Sequence, residues 1–279
     1  MTIGAHALCD QRMRSIEMTI GPRSVAFLLA LAFALPAEVV APPAPANADA
    51  HSPVVILYGD SLASEAQDHF VAAVTLGTDA KAIGRSFGGT AICDYFDIMK
   101  EDAAKLHPTA VVLEFSGNRF TTCMHHPDGS GMGDGDAYMK YVADVQEAVQ
   151  IFTSVGTHVY LAGAPVSRPA PGSFQRARAL NVMYSWVALV SPSGTVTYVD
   201  AGTAVQRGTE YTDELPCLPE EPCPTPNGSI VVRSYDGVHL CPGDDSHRDH
   251  ATTRCLVWSS GAYRFGRAMA APVIAQLSH

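Results

Sequence analysis

Short apolar runs rich in β-branched residues alternate with helix-patterned segments from residue 53 to the end of the chain. Runs that are separated by helices pair in parallel, and the helices cover both faces of the resulting sheet. The alternation therefore predicts an α/β domain with three layers, α/β/α, and a parallel central sheet. The predicted strands are 53–58, 80–84, 110–115, 157–162 and 195–199, and the predicted helices are 61–74, 94–106, 138–152, 173–190 and 259–276, with a Pro-rich irregular stretch at 201–233.

Three segments with polar residues or glycine follow predicted strands, at the sheet edge where ligands bind in such folds. Ser61 comes directly after the first strand and begins a helix whose free N–H groups favour negative charge. Gly88 follows the second strand, and its missing side chain leaves its N–H approachable. Asn118 follows the third strand and can donate from its amide. The simpler interpretations are a helix cap at Ser61 and ordinary turns at Gly88 and Asn118.

Asp236 and His239 lie three residues apart near the C-terminus, with Gly237 between them to favour a tight turn. A serine hydroxyl is a poor nucleophile unless a base takes its proton. A carboxylate beside a histidine fixes the tautomer of the imidazole and stabilises the imidazolium that then forms. The spacing predicts that His239 serves Ser61 with Asp236 behind it. The simpler interpretation is a structural Asp–His contact.

Taken together and in this order, these segments resemble the sequence blocks of the SGNH (GDSL-like) hydrolase superfamily. Gly-Asp-Ser at 59–61 matches the first block, and Asp-x-x-His at 236–239 matches the last. Gly88 looks like the glycine of the second block, with Gly89 as the fallback, and Gly117-Asn118 matches the third block. The resemblance covers roughly residues 53–270.

The resemblance implies a flavodoxin-like fold and a covalent acyl-ester mechanism that needs no cofactor. It implies that Ser61, Asp236 and His239 are catalytic. It also implies an oxyanion hole made by the N–H groups of Ser61 and Gly88 and the side-chain amide of Asn118. Gly89 and Arg119 depart from the family, because many members have acidic residues at these two places. Both are expected to contact substrate, and Arg119 can attract an anionic group unless it is solvated or paired with an acid.

A narrower resemblance concerns residues 88–94, Cys123 and residues 260–266. These segments are similar to SGNH domains of actinobacterial cell-envelope proteins, some of which are fused to membrane acyltransferases. The similarity implies that the substrate carries short acyl groups on an envelope glycan or lipid, removed by hydrolysis or moved by transfer. We expect the protein to act as a monomer.

Residues 1–50 have the pattern of a signal peptide followed by a Pro/Ala-rich segment, which leaves 51–279 as the hydrolase domain. An uncleaved anchor is the alternative, and no later segment is apolar over enough residues for a stable membrane span. Six cysteines follow residue 50, and an even number in an exported chain indicates disulfides. We expect neighbours to pair: Cys93 with Cys123, Cys217 with Cys223, and Cys241 with Cys255.

The sequence also bears on other classes of function. The formal net charge of −10 argues against nucleic acid as a partner. His125-His126 and the stretch 244–250 suggest a metal site, but they lie in polar loops, and we predict no metal. Residues 59–63 nearly fit the Gly-x-Ser-x-Gly elbow of a general α/β-hydrolase, a family that places its serine after several strands. The remaining alternative is a non-catalytic exported binding module on an SGNH scaffold.

Overall fold

The computed structural model describes residues 52–170, 175–224 and 228–279 of the 279-residue chain. The central sheet has five parallel strands in the order β2-β1-β3-β4-β5, as the alternating pattern predicted. The predicted signal peptide and Pro/Ala-rich segment at 1–50 lie outside the described residues. The five strands are β1 (Val54–Gly59), β2 (Lys81–Ser86), β3 (Ala110–Glu114), β4 (His158–Ala162) and β5 (Val196–Val199).

Helices cover both faces of the sheet. Successive side chains of a strand point to opposite faces, and here apolar side chains on each face pack against helices. Val55 and Leu57 of β1 pack with α1 and α5, whereas Ile56 and Tyr58 pack with α2, α3 and α4. This is the predicted three-layer arrangement. The helices are α1 (Ser61–Gly77), α2 (Phe96–Leu106), α3 (Asp134–Thr153), α4 (Arg176–Val190) and α5 (Ser260–Leu277).

Two elements differ from the sequence prediction. The stretch at 201–233 contains a short antiparallel pair of strands, β6 (Glu214–Pro216) and β7 (Ser229–Val231). Helix α2 begins two residues late, because the Asp94 carboxylate accepts a hydrogen bond from Ala91 N at 2.8 Å and caps a preceding 3₁₀ turn instead. The start predicted for the fourth helix, at 173, falls outside the described residues.

Three disulfides join neighbouring cysteines in the order that the sequence predicted. The pairs are Cys93–Cys123, Cys217–Cys223 and Cys241–Cys255. Among the described helices, none has the length and apolar character that crossing a bilayer requires.

Strand β1 lies between β2 and β3, and this position determines where the polar segments meet. Gly59, the last residue of β1, aligns with Ser86 of β2 and Glu114 of β3. The chain therefore leaves the three strands at one edge of the sheet. The segments that begin at Asp60, Phe87 and Phe115 start from that edge.

Helices α1 and α5 pack closely through Gly266. A Cβ atom at Gly266 would lie 2.6 Å from the Ala66 carbonyl oxygen and 2.9 Å from the Phe70 nitrogen. Both contacts are with backbone of α1, which cannot move aside as a side chain can. The two helices therefore approach each other through a residue without a side chain.

We predict that Gly266→Ala lowers the free energy of unfolding by about 1–3 kcal/mol, because it overpacks this helix crossing. The control is Gly135→Ala in α3, where an added Cβ meets nothing within 4 Å. That change should raise stability by about 0.4–1 kcal/mol, since alanine in the first turn of α3 has fewer conformations to lose from the unfolded chain than glycine has. Thermal unfolding of both variants measures the effect, and equal melting temperatures would contradict the close crossing.

Candidate active site

The turn from β1 into α1 is held by a buried carboxylate. Asp60 is the N-cap of α1, and its Oδ1 accepts a hydrogen bond from Leu62 N at 3.1 Å. Ser61 is thus the first residue of the helix, and the interpretation of Ser61 as the cap is wrong. A Cβ at Gly59 would lie 2.3 Å from Ala63 Cβ, so this turn requires glycine. The Ser61 side chain is left at the sheet edge, and the residue is 8% exposed.

Ser61, His239 and Asp236 form a continuous chain of hydrogen bonds. Ser61 Oγ lies 3.0 Å from His239 Nε2, and His239 Nδ1 lies 2.6 Å from Asp236 Oδ2. Asp236 Oδ1 accepts the backbone N–H groups of Val238 and His239 at 2.8 and 3.0 Å. Partial burial opposes ionisation of Asp236, but the hydrogen bonds from His239 and these N–H groups outweigh it and hold the pKa of Asp236 well below its usual range.

The turn that carries Asp236 and His239 packs on Arg168. Gly237 has φ of +72°, and a Cβ there would lie 2.5 Å from Arg168 Cβ. Arg168 N donates to Gly237 O at 2.8 Å, and its guanidinium donates to Tyr235 O at 2.9 Å. Backbone conformation and packing therefore both select glycine at this position, in agreement with the tight turn that the sequence predicted.

Two of the three expected oxyanion donors lie at the cleft. Among the described residues, none accepts a hydrogen bond from the Ser61 N–H. Asn118 lines the cleft beside Ser61, and its Nδ2 also donates to Asp60 Oδ2 at 3.2 Å. The third donor differs, because Gly88 N donates to Thr253 Oγ1 at 2.9 Å and Gly88 is not among the described residues that line the cleft.

The cleft has a volume of about 270 Å³ and is open to solvent on one side. Ser61, Asn118 and His239 line it, and so do the apolar residues Phe120 and Val238. The side chains of Phe120 and Val238 are both exposed, that of Phe120 to 76%. This volume suits a small ligand group rather than a long acyl chain.

Arginine reaches the cleft from a different residue than the sequence suggested. Arg119 is not among the described lining residues, because its Nη1 donates to Met132 O and to Asp134 Oδ1 at 3.2 and 2.8 Å. Arg176, the first residue of α4, lines the cleft while its Nε donates to the same Asp134 oxygen at 3.2 Å. Gly89, also expected near substrate, has φ of +80° and is not among those lining residues.

Three fully buried carboxylates lie near Ser61, and only Asp60 belongs to a segment that the sequence singles out. Burial raises the pKa of Asp60, although hydrogen bonds from Ser116 and Leu62 oppose the rise. Burial and the neighbouring charge of Asp60 raise the pKa of Glu114 well above its usual value. Glu65, one helical turn after Ser61, is described below. Their only signal in the sequence is acidic residues within otherwise apolar segments.

Two of the histidines that suggested a metal site each lie near a single acidic residue. His126 lies 3.6 Å from Asp136, and His250 lies 3.7 Å from Asp245. Within the described ranges, the one group of three close ligand atoms is that of Glu65, Cys241 and Cys255, and these two cysteines are joined in a disulfide. A disulfide sulfur is not the thiolate that a metal ion binds.

The fold is similar to those of solved ester-hydrolase structures. A lipase/acylhydrolase from Enterococcus faecalis gives a TM-score of 0.51 at 14% identity, covering 80% of this chain and 96% of that one. A GDSL-like lipase from Bacteroides thetaiotaomicron VPI-5482 gives 0.50 at 12% identity, covering 80% and 88%. The sequence matches no protein-family model and no curated protein. The likeness confirms the three-layer α/β/α fold with a parallel central sheet that the sequence predicted.

We predict that Gly237→Ala lowers kcat by about 100-fold, because the added methyl group displaces the turn that carries Asp236 and His239. The matched control is Gly208→Ala, which also has positive φ but meets nothing within 4 Å. Both variants carry the same kind of backbone strain. Steady-state hydrolysis of p-nitrophenyl acetate distinguishes them, and equal losses in both variants would refute a specific role for the turn.

Proposed function

We propose that this protein is an exported serine hydrolase of the SGNH type that cleaves or transfers acyl esters. The observation that carries the proposal is the hydrogen-bonded chain from Ser61 through His239 to Asp236, of which Ser61 and His239 line an open cleft. The three disulfides are typical of proteins that leave the cytosol. Ester chemistry is also supported by the solved structures of the same fold, which are a lipase/acylhydrolase and a GDSL-like lipase.

The first half of the reaction forms an acyl-enzyme. His239 Nε2 accepts the proton of Ser61 Oγ while this oxygen bonds to the ester carbonyl carbon. The carbonyl oxygen takes the negative charge and lies against the Ser61 N–H and the Asn118 amide, each contributing about 3 kcal/mol. When the tetrahedral intermediate collapses, the carbon–oxygen bond to the alcohol breaks, and His239 returns the proton to the departing alcohol.

The second half releases the acyl group. His239 takes a proton from a water molecule, whose oxygen bonds to the acyl carbon, and the bond to Ser61 Oγ breaks as the proton returns to Ser61. An acceptor hydroxyl in place of water gives transfer instead of hydrolysis. Asp236 remains ionised throughout, in keeping with its low pKa, and stabilises the imidazolium.

The substrate that we propose is an ester of a short acyl group on an envelope glycan or lipid. The cleft is small and open, which suits a short acyl chain on a large alcohol. Gly88 is proposed as a third oxyanion donor, and this role requires Thr253 to release the Gly88 N–H. A general α/β-hydrolase is disfavoured, because the nucleophile here follows the first described strand and because Asp236 and His239 share one turn.

We predict that the full-length chain hydrolyses p-nitrophenyl acetate faster than the butyrate or octanoate, and that Ser61→Ala abolishes this turnover with the fold intact. The control is Ser185→Ala, an exposed serine on α4. Release of p-nitrophenol measures turnover, and circular dichroism measures folding. A folded wild-type protein that neither releases p-nitrophenol nor reacts with a fluorophosphonate would favour the binding-module alternative.

We predict that Asn118→Ala lowers kcat by about 100- to 1,000-fold and changes KM little, because the amide is proposed to bind the oxyanion rather than the ground state. Steady-state kinetics with p-nitrophenyl acetate measures both constants. Thermal unfolding of the same variant shows whether losing the contact with Asp60 affects folding. An unchanged kcat in a folded variant would remove Asn118 from the mechanism.

A further inference from the structure

We propose that Glu65 is a positioning residue that fixes His239 relative to Ser61, through the backbone that follows His239. The proposal rests on the function proposed above, because it assigns a role within the same site. Glu65 belongs to α1, the helix that Ser61 begins, and lies four residues after it. Its side chain is fully buried.

Glu65 accepts three hydrogen bonds, two of them from the segment next to His239. Its Oε2 accepts Leu240 N at 2.6 Å and Cys241 N at 3.3 Å. Its Oε1 accepts Arg248 Nε at 2.7 Å. Leu240 is bonded directly to His239, so the carboxylate holds the histidine backbone to the nucleophile helix. Together with the hydrogen bond between Ser61 Oγ and His239 Nε2, these contacts join the first turns of α1 to the 239–241 segment at two points.

The disulfide loop, defined as residues 241–255, completes this attachment. Cys241 and Cys255 are joined covalently, and Arg248 lies between them. Ser64 Oγ of α1 donates to Thr252 O at 2.8 Å and accepts from Thr253 Oγ1 at 2.8 Å. Two consecutive residues of α1, Ser64 and Glu65, therefore bind the disulfide loop and the backbone that leads to it.

The Glu65 carboxylate also acts on His239 through its charge. Burial raises the pKa of Glu65, and the charges of His239 and Arg248 and the Leu240 N–H oppose this rise. All three of its partners are donors, which favours the ionised form, and a nearby anion stabilises the imidazolium that catalysis requires. The other charged groups facing Glu65 or His239 are Arg233, Glu114, Asp60 and Asp236.

The test compares two buried carboxylates that pair with arginine. Glu65→Gln removes the charge and places an amide N–H₂ among donors. Glu221→Gln is the matched control, because Glu221 accepts Arg264 Nε at 2.6 Å and Leu218 N at 2.8 Å but contacts none of the triad. Full-length wild type, Glu65→Gln and Glu221→Gln are assayed with p-nitrophenyl acetate from about pH 5 to about pH 9, the range in which histidine titrates.

For Glu65→Gln we expect kcat to fall by about 100-fold, because the reacting groups are misplaced. We also expect the acidic limb of its kcat/KM profile to move to lower pH, because the imidazolium loses a stabilising anion. Glu221→Gln should retain kcat and the wild-type profile even where its melting temperature falls as far. Equal losses of kcat in the two variants, or an unmoved acidic limb in Glu65→Gln, would overturn the proposal.

The two proposals can fail separately. NMR titration of the His239 imidazole in Ser61→Ala, with and without Glu65→Gln, needs no turnover. A wild type without Ser61-dependent turnover would refute the proposed function, and the titration would still test the position and charge of Glu65. We expect Glu65→Gln to lower the pH midpoint of that titration, and an unmoved midpoint would count against the role of Glu65.

Discussion

The Asp60 carboxylate is buried at the turn between β1 and α1, where it accepts hydrogen bonds from separate parts of the chain. Oδ1 binds the Leu62 N–H and so starts α1 at Ser61. Oδ2 binds the N–H and hydroxyl of Ser116 and the amide of Asn118. Ser61, the proposed nucleophile, and Asn118, the proposed oxyanion donor, are thereby positioned by one carboxyl group. The positions of both depend on a side chain that is fully buried.

Burying three acids beside a nucleophile opposes stability, because a desolvated carboxylate is costly unless hydrogen bonds compensate for the lost water. Asp60 and Glu65 are well supplied with donors. Glu114 is not: one oxygen accepts Ala63 N at 3.0 Å, and the other has no partner among the described groups. Burial and the neighbouring charge of Asp60 accordingly raise the pKa of Glu114 well above its usual value.

Local patterns in the sequence were sufficient for the sheet, its parallel pairing and the segments that meet at its edge. Strand β1 and the 59–61 turn are encoded within a few neighbouring residues, and so is the Asp236–His239 pair. Apart from the contact between Ser61 and His239, contacts across long separations were not predictable. Glu65 and Leu240 are 175 residues apart, and Gly88 and Thr253 are 165 apart. Arg119 pairs with Asp134, as one of the alternatives open from the sequence has it, but no local pattern shows which acid lies within its reach.

The separation of 178 residues between Ser61 and His239 has a consequence for the timing of synthesis. Chains emerge from the ribosome N-terminus first. Ser61 is therefore made well before His239, and a nascent chain holds this serine without the residue proposed to take its proton. The hydrogen bond between the two can form only after the segment around His239 has emerged. Until then the chain lacks the base that the proposed mechanism requires.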